Sequence, residues 1–297
     1  MRLLRLAVLL SMTWLAWPLQ AAEPLVDAAW VKANLSSPGV VFVDVRSERD
    51  YDKGHIPRAV FTDYRRDGWR EKVNGVYGML PDPARLEKMI GYLGIGNDSH
   101  VVLAARGKNA TDMSYATRIY WTFKVLGHDK VSILDGGMTA YLKDSKNPWS
   151  NVPVTLIPKV FRANFQPEMI ATEGDVKAAL ANKGVGLIDH RPAKQFQGKK
   201  KSKSVKEYGT IPGARNTPAM ELTEAKSGKF KSTRVLKTLI QAGGGGNGKD
   251  IINFCSTGHW ASLGWFVSHE ILGNEKARMY DGSMAEWSLE PGNPIAR

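Results

Sequence analysis

The sequence predicts an α/β protein of two similar domains in tandem, each a parallel sheet flanked by helices. Two observations support this fold class. Short apolar, β-prone runs alternate with stretches that space their apolar residues as helices do. The same order of elements then occurs a second time along the chain, as a tandem duplication would produce. At 297 residues the chain is long enough for two domains with a core each.

The N-terminus has the pattern of a secretory signal peptide. Two arginines stand among the first five residues, an apolar run from Leu6 to Trp17 follows, and small residues come next. We expect cleavage after Ala21 or Ala22, which assigns residues 1–22 to the signal peptide and predicts a periplasmic or secreted protein. The apolar run is too short for a stable membrane span, so we expect the mature chain not to be embedded in a membrane.

In the first half, predicted helices and strands alternate. The strand over 40–46 ends in two charged residues, Asp44 and Arg46, and the helix over 82–93 has Asp82 as its predicted N-terminal cap. The strand that begins at Val131 runs into an Asp-Gly turn. The remaining predicted elements of this half are helices at 25–35 and 115–126 and a strand at 100–105.

The second half repeats these landmarks. Asp189 and Arg191 end a predicted strand as Asp44 and Arg46 do, 145 residues earlier. An Ile-Pro turn and an Asp-Gly turn also occur in both halves. We therefore predict a first domain, a linker rich in proline, asparagine and serine, and a second domain. The predicted bounds are 23–142, 143–167 and 168–297.

Cys255 is the only cysteine of the chain, and it stands between a strand-like run at 251–254 and a helix predicted over 262–272. Backbone N–H groups and the positive end of the helix dipole converge on such a turn, which favours anions and hence a thiolate. The first half has Ala104 and Ala105 at the equivalent place, so packing does not require a cysteine there. We predict that Cys255 is a reactive nucleophile and not only a small buried side chain.

The formal net charge of +12 favours small anionic substrates or an acidic partner. The sequence contains no recognition helix, zinc-ligand spacing or RNA-binding aromatic motif, so we expect no nucleic acid partner. The basic run Gly198–Lys206 has two interpretations. It is either a solvated loop or a collar of positive charge that draws anions towards Cys255.

Together, the repeated Asp-x-Arg, Ile-Pro and Asp-Gly motifs and the Cys-x-x-Gly-x-x-Ala loop resemble the tandem-domain rhodanese family, the thiosulfate and 3-mercaptopyruvate sulfurtransferases. The resemblance implies a first rhodanese-like domain without the catalytic cysteine, a catalytic second domain, and an active site towards their interface. It implies that Cys255 carries sulfur as a persulfide while loop amides hold an anionic group. The implied substrate-binding loop residues are Ser256, Thr257, Gly258, His259 and Trp260.

Three positions bear on the sulfur donor. Arg191 matches the arginine of the Asp-x-Arg motif, and both a substrate contact and a structural ion pair are open for it. Family members often place a further arginine where this chain has Gln195. Members that prefer thiosulfate commonly carry basic residues just after the cysteine, where this chain has uncharged ones. The donor therefore stays open between thiosulfate and 3-mercaptopyruvate.

The resemblance implies transfer of a sulfane sulfur from the donor to Cys255 and then to cyanide, a thiol or a protein acceptor, without a metal or organic cofactor. Two alternatives to a sulfurtransferase belong to other functional classes of protein. A non-turnover carrier would hold a persulfide or selenium on Cys255 for a partner. A phosphatase or arsenate reductase of the Cys-x5-Arg type would need an arginine at position 261, which is Ala261 here.

Overall fold

The computed structural model describes residues 22–182, 184–246 and 248–297. The predicted signal peptide lies outside these ranges except for Ala22. Among the helices of the described ranges, none combines the length and the apolar character that a membrane span requires.

The first half is built on a five-stranded parallel sheet with a separate two-stranded hairpin. Its strands are β1 (Leu25–Val26), β2 (Val40–Asp44), β3 (Val60–Phe61), β4 (Glu71–Val73), β5 (Val76–Met79), β6 (His100–Ala104) and β7 (Val131–Leu134). The parallel strands follow the order β1-β7-β6-β2-β3, and β4 and β5 form the hairpin. The helices are α1 (Ala28–Asn34), α2 (Glu48–Lys53), α3 (Pro83–Tyr92), α4 (Ala110–Val125) and α5 (Gly137–Tyr141).

The second half repeats this sheet. Its strands are β8 (Ile170–Ala171), β9 (Gly186–Asp189), β10 (Arg215–Asn216), β11 (Ile251–Phe254) and β12 (Ala277–Tyr280). They follow the order β8-β12-β11-β9-β10, which is the order of their counterparts in the first half. The helices are α6 (Glu173–Ala181), α7 (Ala193–Phe196), α8 (Thr233–Ala242), α9 (His259–Phe266) and α10 (Ser283–Trp287). The predicted fold class, two similar parallel α/β units, is confirmed.

Capping residues determine where several of the helices begin. Asp82 caps α3 as predicted, because its carboxylate accepts a hydrogen bond of 2.9 Å from the amide of Ala84. The helix predicted to begin at residue 115 begins at Ala110 instead, since Asn109 caps it from outside the apolar run. The helix after the cysteine likewise begins three residues earlier than predicted, at His259. It continues as a π-helical turn, Val267–Ile271, before it ends.

The two halves share one apolar core through the packing of α4 against α9. The ring of Tyr120 meets the ring of Phe266 edge to face, with centroids 4.9 Å apart. Between the same helices, the hydroxyl groups of Thr117 and Ser262 form a buried hydrogen bond of 2.9 Å. Because α9 begins just after Cys255, this packing places the cysteine loop at the interface of the two domains.

Candidate active site

Cys255 follows the last residue of β11 and is almost fully buried, with 1% of its surface exposed. Its loop is held from the side of α10. The amides of Cys255 and Gly258 both donate to the hydroxyl of Ser283, each at 3.1 Å. The carbonyl of Cys255 accepts from the amide of Met284 at 3.1 Å. Ser283 itself has a left-handed backbone with φ of 51°, and this places its hydroxyl under the loop.

The N-terminus of α9 is open. Its N-cap residue is Gly258, no side chain caps it, and its first turn contains no acidic residue. Within the described residues, the amides of Ser256, Thr257 and His259 donate no hydrogen bond. Unpaired N–H groups at a helix N-terminus form a binding site for an anion. The cysteine therefore stands beside a group of donors suited to negative charge.

Two arginines of the first domain bind the carbonyl side of this loop. Arg70 donates through Nη2 to the carbonyl of Thr257 at 2.6 Å. Arg118, buried in the middle of α4, lies with Nη1 3.4 Å from the carbonyl of Gly258. In a planar trans peptide the next N–H points the opposite way from the carbonyl. The first domain thus fixes the direction in which the amide of His259 points.

Arg118 is neutralised by Asp281 of the second domain. Arg118 Nη1 lies 2.5 Å from Asp281 Oδ1, and both side chains are almost completely buried. The other carboxylate oxygen of Asp281 accepts from the amide of Leu80 at 2.6 Å. Local sequence patterns do not reveal this pair, because its members are far apart in the chain. One sequence feature does indicate such a pair. Arg118 lies within an otherwise largely apolar helix, and a buried charge requires a partner of opposite charge.

His259 is neutral and held at both ring nitrogens. Nε2 lies 3.2 Å from the carbonyl of Thr111, which can only accept, so Nε2 carries the proton. Nδ1 then accepts from the hydroxyl of Tyr64 at 3.0 Å. Burial, followed by the charge of Arg70, lowers the pKa of His259 to about 3. The indole of Trp260 also donates to the side chain of Thr111, at 3.1 Å.

These groups border a cavity of about 490 Å³ with Cys255 on its wall. Of the predicted loop residues, Ser256, Thr257, His259 and Trp260 line it, and Gly258 does not. The first-domain side of the wall was not predicted, because no local sequence motif marks it. That side consists of Tyr64, Arg65, Arg70, Thr111 and Tyr115. Among the described residues, no three His, Cys, Asp or Glu side chains gather as a metal ion would require.

Arg191 does not reach this cavity. Its guanidinium is fully buried, binds Asp189 at 2.6 Å, and donates to the carbonyl of Gly209 at 2.8 Å. In the first domain, Arg46 makes the same contacts, with Asp44 and with a backbone carbonyl, both at 2.6 Å. A contact present in both domains is a feature of the fold. Of the two roles that the sequence left open for Arg191, the structure therefore supports the structural ion pair and not the substrate contact.

The basic run borders the cavity without placing its charges on the wall. Ser202 lines the cavity, and beside it Gln195 accepts a hydrogen bond of 3.2 Å from the hydroxyl of Ser256. Lys201 is partly buried, donates to the carbonyl of Val205 at 2.9 Å, and lies over an aromatic ring. The other four lysines are exposed, at positions 199, 200, 203 and 206.

Comparison with known proteins agrees with this architecture. A protein of Mycobacterium bovis named "Putative thiosulfate sulfurtransferase 1" is 35% identical over 281 residues, 92% of this chain and 97% of that protein. The "Sulfur carrier protein TtuD" of Thermus thermophilus is 32% identical over 286 residues, with 93% and 97% covered. The crystal structure of the 3-mercaptopyruvate sulfotransferase SseA from Escherichia coli superposes with a TM-score of 0.75 at 27% identity, covering 88% of this chain and 99% of that one.

The family model of the rhodanese-like domain matches the chain twice, over residues 27–144 and 172–290. These two matches take in four of the five strands of each parallel sheet, and the loop of Cys255. They confirm the resemblance seen in the motifs. The chain therefore belongs to the rhodanese family, with one rhodanese-like domain in each half.

Proposed function

We propose that this protein is a sulfurtransferase that moves a sulfane sulfur from a small anionic donor to a thiophilic acceptor through a persulfide on Cys255. One observation supports the proposal more strongly than any other. The single cysteine stands beside the uncapped N-terminus of α9, on the wall of a cavity that the first domain also lines. The names of the relatives, thiosulfate and 3-mercaptopyruvate enzymes among them, agree with it.

The proposed reaction has two displacement steps. The thiolate of Cys255 attacks the outer sulfur of thiosulfate or the thiol sulfur of 3-mercaptopyruvate. The bond from that sulfur to the rest of the donor breaks, and its electron pair leaves with sulfite or with the enolate of pyruvate, which takes up a proton. The acceptor, cyanide or a thiolate, then attacks the outer sulfur of the persulfide. The electron pair of that bond returns to Cys255 as a thiolate.

The loop residues stabilise charge in both steps. The amides of Ser256, Thr257 and His259 are the open donors at the helix N-terminus, and they face negative charge on the sulfur atoms as it moves. Gly258 permits the left-handed turn, with φ of 72°. The side chain of Trp260 lines the cavity beside them. A fixed set of donors of this kind needs no reorganisation during the reaction.

We further propose that the mature protein acts in the periplasm or outside the cell. The N-terminal pattern of basic, apolar and small residues supports export. Fractionation of cells, followed by N-terminal sequencing of the purified protein, tests this. A mature N-terminus at Ala22 or Glu23 is expected, and a full-length chain in the cytoplasmic fraction would contradict export.

A carrier function is the second candidate, since one relative is named a sulfur carrier protein. Such a protein would load Cys255 once and release the sulfur only to its partner. Repeated turnover separates the two candidates, because an enzyme continues after the first equivalent.

The experiment compares the mature chain with Cys255→Ser in the presence of excess donor and cyanide. We expect many equivalents of sulfite or pyruvate per chain, a mass increase of one sulfur atom on the intermediate, and neither signal from Cys255→Ser. Parallel rates with thiosulfate and 3-mercaptopyruvate identify the preferred donor. Release that stops at one equivalent would support the carrier, and full activity in Cys255→Ser would overturn both candidates.

A further inference from the structure

The positive charges of the cavity come from only one domain. On the second-domain side, the described wall consists of the cysteine loop, Gln195 and Ser202, none of which carries a positive charge. His259 belongs to this side and is neutral. The cations on the wall are Arg65 and Arg70, both in the segment that leads from β3 to β4.

Neither arginine has a carboxylate partner among the described residues. Arg70 and Arg65 take no part in an ion pair within 4.0 Å, whereas the buried Arg118 behind the loop is paired with Asp281 at 2.5 Å. The neighbour of Arg65 in the sequence, Arg66, lies 2.6 Å from Asp63. Two unpaired guanidinium groups on one cavity wall attract an anion.

The two arginines have different roles. Arg70 uses its three nitrogens to bind the carbonyl of Gly78, the carbonyl of Thr257 and the hydroxyl of Tyr64, at 2.6 to 3.2 Å. It is therefore a positioning residue for the cysteine loop. Arg65 binds only the hydroxyl of Tyr115, through Nε and Nη2. Its Nη1 makes no hydrogen bond in the part of the chain that the structure describes.

We propose that Arg65 of the first domain binds the anionic group of the sulfur donor, a sulfonate or a carboxylate, across the domain interface. The planar guanidinium matches either oxyanion with two parallel N–H groups. The hydroxyl of Tyr115 holds the guanidinium of Arg65 in place from one side. The ring centroids of Tyr115 and His259 are 5.0 Å apart. The inference rests on the proposed function, and it assigns substrate recognition to the domain that lacks the cysteine.

Binding without turnover tests this directly. Thiosulfate and 3-mercaptopyruvate are titrated calorimetrically into Cys255→Ala and into Cys255→Ala with Arg65→Gln. A charge-assisted hydrogen bond is worth about 1.5–3 kcal/mol, so Kd should rise about tenfold or more. The matched control is Arg66→Gln in the same background, which removes the same charge from a side chain off the wall. We expect its Kd to stay within about twofold of the parent, because surface charges contribute little.

The two donors distinguish the anionic groups. A rise in Kd for thiosulfate alone assigns Arg65 to a sulfonate, a rise for 3-mercaptopyruvate alone assigns it to a carboxylate, and a rise for both supports the shared site. In the active enzyme, Arg65→Gln should raise KM about tenfold with kcat nearly unchanged, and Arg65→Lys should restore part of the affinity.

Equal shifts in Arg65→Gln and Arg66→Gln would overturn the proposal, as would the absence of binding to Cys255→Ala. A failure of the proposed sulfurtransferase function would give a different experimental result. In that case the wild-type protein shows no sulfur transfer, while anion binding in the Cys255→Ala background still depends on Arg65.

Discussion

The two domains differ most at the N-termini of α4 and α9, which follow equivalent strands. In the first domain, the side chain of Asn109 accepts from the amide of Asp112 at 3.0 Å, and Asp112 accepts from the amide of Lys108 at 3.0 Å. Polar side chains thus satisfy the helix N-terminus from within the domain. In the second domain, Gly258 takes the capping position and offers no side chain. The first domain therefore caps the helix N-terminus that the second domain leaves open.

The backbone around the loop after Ala105 and the loop after Cys255 is otherwise similar in the two domains. The amide of Met138 donates to the carbonyl of Ala105 at 2.8 Å, as the amide of Met284 donates to the carbonyl of Cys255. Gly137 has φ of 57°, and its counterpart Ser283 has φ of 51°. A Cβ on Gly137 would lie 2.3 Å from the carbonyl oxygen of Ala105, so the first loop has no room for the serine. The chemistry therefore depends on a few side chains within a shared fold.

The strongest test of this comparison moves the cysteine. In a double variant with Ala105→Cys and Cys255→Ser, we expect sulfur transfer to fall by about 10³-fold or more, because the new thiol faces a capped helix. Sulfite release and thermal unfolding are measured together, with Cys255→Ser alone as the control. Activity above that control would mean that a cysteine suffices and that the open helix N-terminus does not matter.

The next largest effect is expected at Gly258. A Cβ there would lie 2.3 Å from Arg118 Nη1 and 2.8 Å from Asp281 Oδ1, which disrupts a buried ion pair. We expect Gly258→Ala to lower the free energy of unfolding by about 3 kcal/mol or more and to reduce kcat/KM. Gly273→Ala is the matched control, with φ of 67° and no atom within 4 Å of the added Cβ. Gly273→Ala should lower the free energy of unfolding by only about 1 kcal/mol. Equal losses in the two variants would show that backbone strain alone, and not the contact with the ion pair, causes the destabilisation.

Sequence patterns predicted those parts of the site that local chemistry determines. The strand before Cys255 follows from a short stretch of the chain, and so does the cap at Asp82. The boundaries of α4 and α9 were predicted less well. Their first turns contain polar or small residues, so apolar periodicity begins later than the hydrogen bonds do.

The first-domain wall could not be predicted from local patterns. Arg70 contacts the carbonyl of Thr257, and Tyr64 contacts His259, across almost two hundred residues of chain. Such pairs depend on how the domains pack, and the packing of α4 against α9 leaves no short motif. For a related reason the sequence left two roles open for Arg191. A charged residue near a reactive loop suggests substrate contact, but burial beside Asp189 removes it from the cavity.

A further difference between the domains is the basic run, since the first domain passes from α2 to its Ile-Pro turn without an insertion. Replacing lysines 199, 200, 201, 203 and 206 with serine should lower kcat/KM for thiosulfate severalfold at low salt, with kcat nearly unchanged. Salt screens such attraction over about 8 Å at physiological ionic strength, so the two proteins should converge as salt rises. A variant lacking five exposed lysines of the first domain and the linker controls for net charge: Lys32, Lys53, Lys88, Lys143 and Lys146.

Unchanged salt dependence in the first variant, or an equal change in the control, would assign the basic run to a solvated surface. A collapse of kcat would instead place a lysine at the reacting atoms.

A smaller effect is expected from removing the N-terminal cap of α4 in the first domain. Asn109→Ala should lower the free energy of unfolding by about 1 kcal/mol, the usual contribution of an N-cap side chain. Sulfur transfer should be unaffected, since Asn109 does not line the cavity. Denaturant unfolding and donor kinetics measure the two quantities. Gain of thiosulfate binding at this helix would show that the cap alone suppresses an anion site there.

The smallest expected effect concerns His259, whose helical position is taken by Ala110 in the first domain. Because its pKa is about 3, the ring is neutral from pH 5 to pH 9 and contributes no ionisation to kcat/KM. Glutamine can replace both hydrogen bonds, so wild type and His259→Gln should have pH profiles of the same shape. An ionisation near pH 6.5 that disappears in His259→Gln would show that the histidine titrates.

Protein stability gives the complementary result. The folded pKa of His259 lies below the unfolded value of about 6.5, so the unfolded chain binds more protons between these values. The contribution of His259 to stability is therefore complete above about pH 6.5 and is lost as the pH falls towards 3. Wild type should lose more unfolding free energy than His259→Gln over this range. Equal losses would mean that the ring is not held in its neutral form by Tyr64 and Thr111, and that the first domain does not set the protonation state of the cavity.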